Sequence, residues 1–217
     1  MAATWEEQQR SPDVVAMSFD ERLALLVDAE WMARENDRVG RALKEAKLRI
    51  AGAVIEGLDY TPARELDRTL VRHLASGMWV QQHQTVIVTG ATGTGKTYVA
   101  CALAQQACRK GFRALYRRAP RFFDELRLAR VARVDVLVLD DFAIAPVTDL
   151  ERRDLLEVLE DRYGLRSTVI SSQLPPDRWH DYLGDPTVAD AICDRVIHGA
   201  HRIALKGPSR RKPESAE

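Results

Sequence analysis

The sequence predicts an α/β protein, a five-stranded parallel sheet flanked by helices, joined to a small all-helical N-terminal region. Three observations predict it. From residue 85 onward, short β-branched apolar runs alternate with segments of helical periodicity, the pattern that builds right-handed crossovers. The run Thr85-Val86-Ile87-Val88 leads into Gly90-Ala91-Thr92-Gly93-Thr94-Gly95-Lys96-Thr97, which satisfies the spacing G-x-x-x-x-G-K-[ST]. The run from Val134 to Leu139 ends in Asp140-Asp141, two carboxylates at the carboxyl end of a buried strand. Residues 1–77 are expected to form the helical region and residues 78–217 the α/β core.

Each element has its own local reason. Ser18-Phe19-Asp20-Glu21 is a capping box opening a helix to about Lys47, with Leu23, Leu26 and Val27 on its apolar side. Thr61-Pro62 predicts a helix capped by Thr61, running through Leu66, Leu70 and Leu74 and stopping near Gly77. Strands are expected over Thr85–Val88, Phe112–Tyr116, Val134–Phe142, Ser167–Gln173 and His201–Leu205. Between them come an Ala-rich helix after the glycine loop, a helical piece from Pro120 to Arg133, and a helix boxed by Thr148 and Glu151 that ends at Tyr163-Gly164. A last helix covers Pro186 to Ile197.

Composition narrows the class without choosing a partner. Of 217 residues, 46% are hydrophobic and 29% charged, an ordinary globular balance. Lys+Arg and Asp+Glu are equal at 32 each, so net charge announces no nucleic acid and local clusters must be examined. Three cysteines without a C-x-x-C pair suit a reducing compartment. Met1 to Arg10 is polar and no stretch has the length of a bilayer span, so a cytoplasmic protein with no membrane partner is expected.

The chemistry follows from the loop. Its glycines let backbone N–H groups curl around phosphate oxygens while the new helix turns its positive end to the same anion. Gly90, Ala91, Thr92, Gly93, Thr94, Gly95, Lys96, Thr97 and the adjacent Tyr98 are therefore the expected nucleotide-binding residues. Lys96 would reach the terminal phosphates, and Thr97 with Asp140 would hold Mg²⁺. Asp141 would polarise the attacking water. An Asp-Asp pair can also simply close a strand at a turn; the glycine loop is what makes it a metal partner. Gln173, at the end of the fourth predicted strand, can probe the γ-phosphate or be a polar strand end.

Over nearly its whole length the chain resembles the IstB-like ATP-binding proteins, helper ATPases of insertion-sequence transposition related to the DnaC helicase loader, within the AAA+ class. The resemblance rests on Trp5-Glu6-Glu7-Gln8-Gln9, Ser18 to Leu23, the loop, Leu137 to Phe142, Ser171-Ser172-Gln173-Leu174-Pro175, Trp179-His180, Gly184 to Thr187, Ala191 to Arg195 and His201 to Gly207. It implies an AAA+ P-loop core, ATP and Mg²⁺ as ligands, a homo-oligomer, duplex DNA and a cognate transposase. It also implies that Arg195 serves a neighbouring subunit's γ-phosphate, with a surface ion pair to Asp190 or Asp194 as the alternative. Gln173 matches the first sensor. Arg211 falls where a second sensor arginine is found, although Pro208 stands where an acidic residue is expected.

Two basic clusters are candidate DNA contacts: Arg41, Lys44 and Lys47 late in the long helix, which taken alone read rather as a solvated helix face, and Arg117, Arg118 and Arg121 beside the second strand, with partial neutralisation across subunits as the alternative. The stretch from Ala119 to Arg133 is shorter than the resemblance predicts, and in relatives a helix pair there lies against nucleic acid. A helicase loader, and an ATP- and DNA-binding scaffold without turnover, are the alternatives to a helper ATPase.

Overall fold

The computed structural model describes residues 2–125 and 133–210. The chain divides into two compact units, Met1–Arg41 and Ala42–Glu217. The first holds α1 (Ala2–Arg10), α2 (Pro12–Val15) and most of α3 (Phe19–Ala46). The expected capping box opens α3: the Ser18 backbone N–H donates to Glu21 Oε2 at 2.9 Å and its hydroxyl donates to the same oxygen at 2.8 Å. Gln8 Nε2 donates to the Arg22 carbonyl at 3.1 Å, tying α1 to α3. Leu26 is buried, whereas Phe19, Leu23, Val27 and Trp31, spaced four apart along α3, are exposed.

The division falls at 41/42 and not at 77/78. Residues 42–77 follow the helical reading only in part, and they are built into the core. Ala46, Ala53, Leu58, Leu66, Val71 and Leu74 share one apolar cluster with Val86 and Val88 of the central strand. The Thr61-Pro62 signal also gives way locally. Pro62–Arg64 is one 3₁₀ turn without a side-chain cap, and Glu65 at φ 50° is left-handed, which ends it. The helix that follows, α4 (Arg68–Ala75), is capped by Asp67, whose carboxylate accepts from Thr69 N at 2.7 Å and Leu70 N at 3.2 Å. A short α5 (Met78–Gln81) then leads to the sheet.

Strands β1 (Thr85–Gly90), β2 (Ala114–Arg118), β3 (Val136–Phe142), β4 (Ser167–Ser172) and β5 (His201–Leu205) form one parallel sheet in the order β2-β3-β4-β1-β5. Strand alternation divides the core between its two faces. Val86, Val88, Val136, Val138 and Val169 face one cluster, while Ile87, Leu137, Leu139 and Ile170 face the other. The first face is covered by α6 (Lys96–Arg109), whose Val99, Ala100, Leu103, Ala104 and Ala107 are buried; small side chains let this helix lie close to the sheet. The second is covered by α8 (Asp149–Arg162), α9 (Trp179–Leu183) and α10 (Pro186–Ile197), with α7 (Ala119–Glu125) beside them. The Thr148–Glu151 box caps α8 as expected. The helical piece predicted to reach Arg133 is described through Glu125; Arg127 and Arg130 lie outside the described residues.

This order puts β4 between β1 and β3, so the turn after β1 and the acidic end of β3 flank the carboxyl end of β4. Ligands of open α/β sheets bind in such a crevice. Among the described residues no helix is long and apolar enough to cross a membrane.

Candidate functional site

The glycine loop leaves β1 and closes into α6. Gly93 (φ 86°) and Gly95 (φ 95°) both take left-handed backbone. A Cβ on Gly93 would stand 2.0 Å from the Ser209 hydroxyl oxygen, so the tail packs against the loop where no side chain fits. Lys96, starting α6, donates from Nζ to the carbonyls of Gly90 at 2.8 Å and Ala91 at 2.9 Å. Its ammonium thus lies within the curl of the loop. Thr92 donates from its hydroxyl to Gln173 Oε1 at 2.7 Å, joining the loop to the end of β4. Tyr98 follows on α6, and its hydroxyl lies 3.4 Å from the backbone of Val54.

The acidic end of β3 is built as a pair with different surroundings. Asp140 is fully buried and accepts from three hydroxyls: Thr97 at 3.0 and 3.1 Å, Tyr116 at 2.6 Å, and Ser171. Burial, and then the Asp140 carboxylate beside it, push the Tyr116 phenol well above its ordinary range, so it is a donor at any working pH. Asp141 is left-handed at φ 58°, and the β3–β4 pairing shifts register between Leu139 and Phe142. At that irregularity both carboxylates come within 3.8 Å of one Arg49 nitrogen. Asp141 Oδ2 accepts from Arg118 Nε at 2.9 Å and Nη2 at 2.8 Å, with Arg49 at 3.5 Å. Arg49 also stands 3.8 Å from Asp140, and its pKa is raised first by the Tyr116 hydroxyl and then by the two carboxylates.

Asp141, Arg118 and Arg49 join the glycine loop and Gln173 around a cavity of about 550 Å³. Its cations are Arg49, Arg64, Lys96, Arg118 and Arg210, and Ile50, Leu58 and Tyr98 give it an apolar end. A flat apolar group beside a cationic loop is the chemistry of a base joined to phosphates. The fit to a nucleotide is good on the structure's own terms: the glycines make the cradle, Lys96 lies inside it, and Thr97 with Asp140 could hold a divalent metal.

The predicted residues separate into those brought together and those kept apart. Gly90 through Tyr98, Asp140, Asp141 and Gln173 lie together at the carboxyl end of the sheet. Arg118, assigned to DNA, lies instead in this cavity on Asp141, while Arg117 lines a separate groove of about 340 Å³ with Lys47 and Arg113. Neighbouring strand residues face opposite sides, so Arg117 and Arg118 cannot form one patch. Arg121 and Lys44 lie on α7 and α3, Arg121 being exposed, and Arg41 closes the first unit. Arg195 lines a second cavity, of about 290 Å³, with Thr85 at the amino end of β1, opposite the glycine loop. Its ion pair is with Glu160 at 2.7 Å and not with Asp190 or Asp194, because α10 packs on α8. Arg211 lies outside the described residues; its neighbour Arg210 lines the nucleotide-sized cavity. Sequence reasoning missed Arg49, Arg64, Tyr116, Ser171 and Arg210. For Tyr116 a signal existed, a tyrosine in a strand destined to pair beside the acidic one.

The profile of the family described as IstB-like ATP binding protein matches residues 1–217. The chain belongs to that family. It is 43% identical over 223 residues to an insertion-sequence ATP-binding protein of Sinorhizobium fredii, covering 98% of this chain and 91% of the relative. To another from insertion sequence IS1162 of Pseudomonas fluorescens it is 47% identical over 186 residues, covering 81% and 80%. Among solved structures it is similar to DnaI, with a TM-score of 0.61 over 71% of this chain and 92% of that one. The DnaC helicase loader gives 0.58 over 71% and 97%. At 20% identity these two likenesses are of fold alone. This IstB-like protein is thus a member of an ATP-binding family with its glycine loop intact.

Proposed function

We propose that this IstB-like protein is a Mg²⁺-dependent ATPase that binds duplex DNA and recruits a transposase to it during insertion-sequence transposition. The observation that carries the enzymatic part is the Thr97 hydroxyl within 3.1 Å of the buried Asp140 carboxylate, one residue from a second carboxylate and beneath a lysine-bearing glycine loop. Thr97 and Asp140 would hold the metal. Bound there, Mg²⁺ would draw charge off the phosphates. Lys96 would trade the loop carbonyls for phosphate oxygens, since a charge-assisted bond to an anion is stronger than one to a neutral carbonyl. Asp141 would accept the proton of an attacking water, and Gln173, already bonded to Thr92, would orient that water or the γ-phosphate. Arg195, at the end of β1 away from its own loop, would act on a neighbouring copy's nucleotide in a homo-oligomer.

The DNA part is supported by the basic groove of Lys47, Arg113 and Arg117, whose residue types suit phosphate contacts without sequence reading. The names of the relatives support the transposition setting. One observation favours a second reading: Arg118 occupies Asp141 through two donors, as a nucleotide-binding scaffold without turnover could tolerate. Steady-state turnover with and without duplex DNA separates the two. Turnover stimulated by DNA and lost in Lys96→Ala is expected; tight ATP binding without turnover selects the scaffold.

A further inference from the structure

Arg64 is a buried cation that the reading above leaves without a task. It ends the turn Pro62–Arg64, is 6% exposed, and still lines the nucleotide-sized cavity. Its Nη2 donates to the Thr94 carbonyl at 2.7 Å and its Nη1 to the Asp59 carbonyl at 3.4 Å. A Cβ built on Gly95 would stand 3.0 Å from Nη2, so the guanidinium lies directly against the loop. The Arg64 carbonyl in turn accepts from Lys206 N at 3.2 Å, which ties this turn to the tail that bears Arg210.

The local charge is unbalanced. Arg210 donates its backbone N–H to the Gly93 carbonyl at 3.0 Å, and its guanidinium is 3.4 Å from Asp59. Burial, and then the Arg210 charge, lower the Arg64 pKa, opposed by Asp59. Of the two guanidiniums beside the loop, Arg210 is thus paired with the Asp59 carboxylate, while Arg64 is bonded to the Thr94 and Asp59 carbonyls. A buried cation bonded to neutral carbonyls is stabilised when an anion arrives, because the anion supplies the compensation that water no longer can.

We propose that Arg64 is a positioning residue of the phosphate loop and, together with Arg210, adds to the affinity that Lys96 and the loop N–H groups give it for a polyphosphate. In a trans peptide the C=O and the next N–H point in opposite directions. Holding the Thr94 oxygen toward Arg64 thus aims the Gly95 N–H away from it, into the cradle. This inference rests on the nucleotide reading and adds to it a preference for the longer phosphate chain.

The test is calorimetric binding of AMP, ADP and a non-hydrolysable ATP analogue to the full chain and to Arg64→Met, Arg64→Lys and Asp59→Asn. Arg64→Met should weaken the analogue roughly 10- to 100-fold, the scale of losing a charge-assisted hydrogen bond, while AMP changes far less. Arg64→Lys should recover part of that affinity by keeping the charge. Asp59→Asn keeps an acceptor for the Thr61 N–H but removes the carboxylate that pairs with Arg210, so it should bind the analogue more tightly than wild type. In turnover, KM should rise in Arg64→Met by a larger factor than kcat falls. Equal affinity in Arg64→Met, equal loss for AMP and the analogue, or weaker binding by Asp59→Asn would each overturn the proposal. If Arg64→Met fails to fold, the sign of the Asp59→Asn effect decides alone. A wild-type chain that binds no nucleotide would overturn the site reading itself, a result distinct from these.

Discussion

Asp140 has no solvent exposure, and the cost of a buried carboxylate is offset by hydroxyls from three separate strands and helices. Tyr116 supplies the 2.6 Å bond from β2. Groups that orient a metal's carboxylate are worth roughly 10- to 100-fold in metal affinity. Tyr116→Phe is therefore expected to raise the Mg²⁺ concentration at half-maximal turnover by about tenfold while leaving the fold intact. A magnesium titration of ATPase activity checks it, and an unchanged midpoint would remove Tyr116 from the metal site. At this scale the sequence was legible where function needs contiguous residues. The glycine loop and the Asp140-Asp141 doublet could be read directly. Tyr116, Ser171 and Arg49 could not, because their roles exist only once strands distant in sequence are placed side by side.

Among the elements, the segment from Thr61 to Ala75 is the most instructive. Thr61-Pro62 has the form of a helix start, yet the helix begins six residues later under Asp67. The local preference of Thr-Pro yields because the Pro62–Arg64 turn must carry Arg64 to Thr94 and Gly207 past the Ala63 carbonyl, 3.1 Å from where a Cβ would lie. The two caps are distinguished by mutation. Asp67→Ala should cost about 1 kcal/mol of stability in urea unfolding, the usual worth of an N-cap. Thr61→Ala should cost no more than about 0.5 kcal/mol, since its hydroxyl makes a single 3.4 Å contact with Asp59. The reverse order would restore the Thr61-capped helix. Arg117 and Arg118 read as one basic patch along the chain, and the pleat sends them to different cavities.

For the whole molecule the distance between Arg195 and the glycine loop is the deciding feature. They lie at opposite ends of β1, so Arg195 cannot serve its own chain's site. If it completes a neighbour's site, Lys96→Ala and Arg195→Ala should each lose most turnover, and a mixture of the two should regain activity that neither shows alone. The reason is that an Arg195→Ala subunit keeps an intact loop, to which a Lys96→Ala neighbour can bring an intact arginine. A mixture as inactive as its parts would reduce Arg195 to the partner of Glu160 seen here.

By itself the sequence determined the sheet's five strands, the capping boxes and the places of the glycine loop and the acid pair, because each is encoded by spacing along one short stretch. Only the tertiary structure decided that residues 42–77 belong to the core, that Arg118 meets Asp141, and that Arg64 and Arg210 close around the loop. Those facts depend on which strands become neighbours and which face each side chain takes, and burial settles that for the chain as a whole.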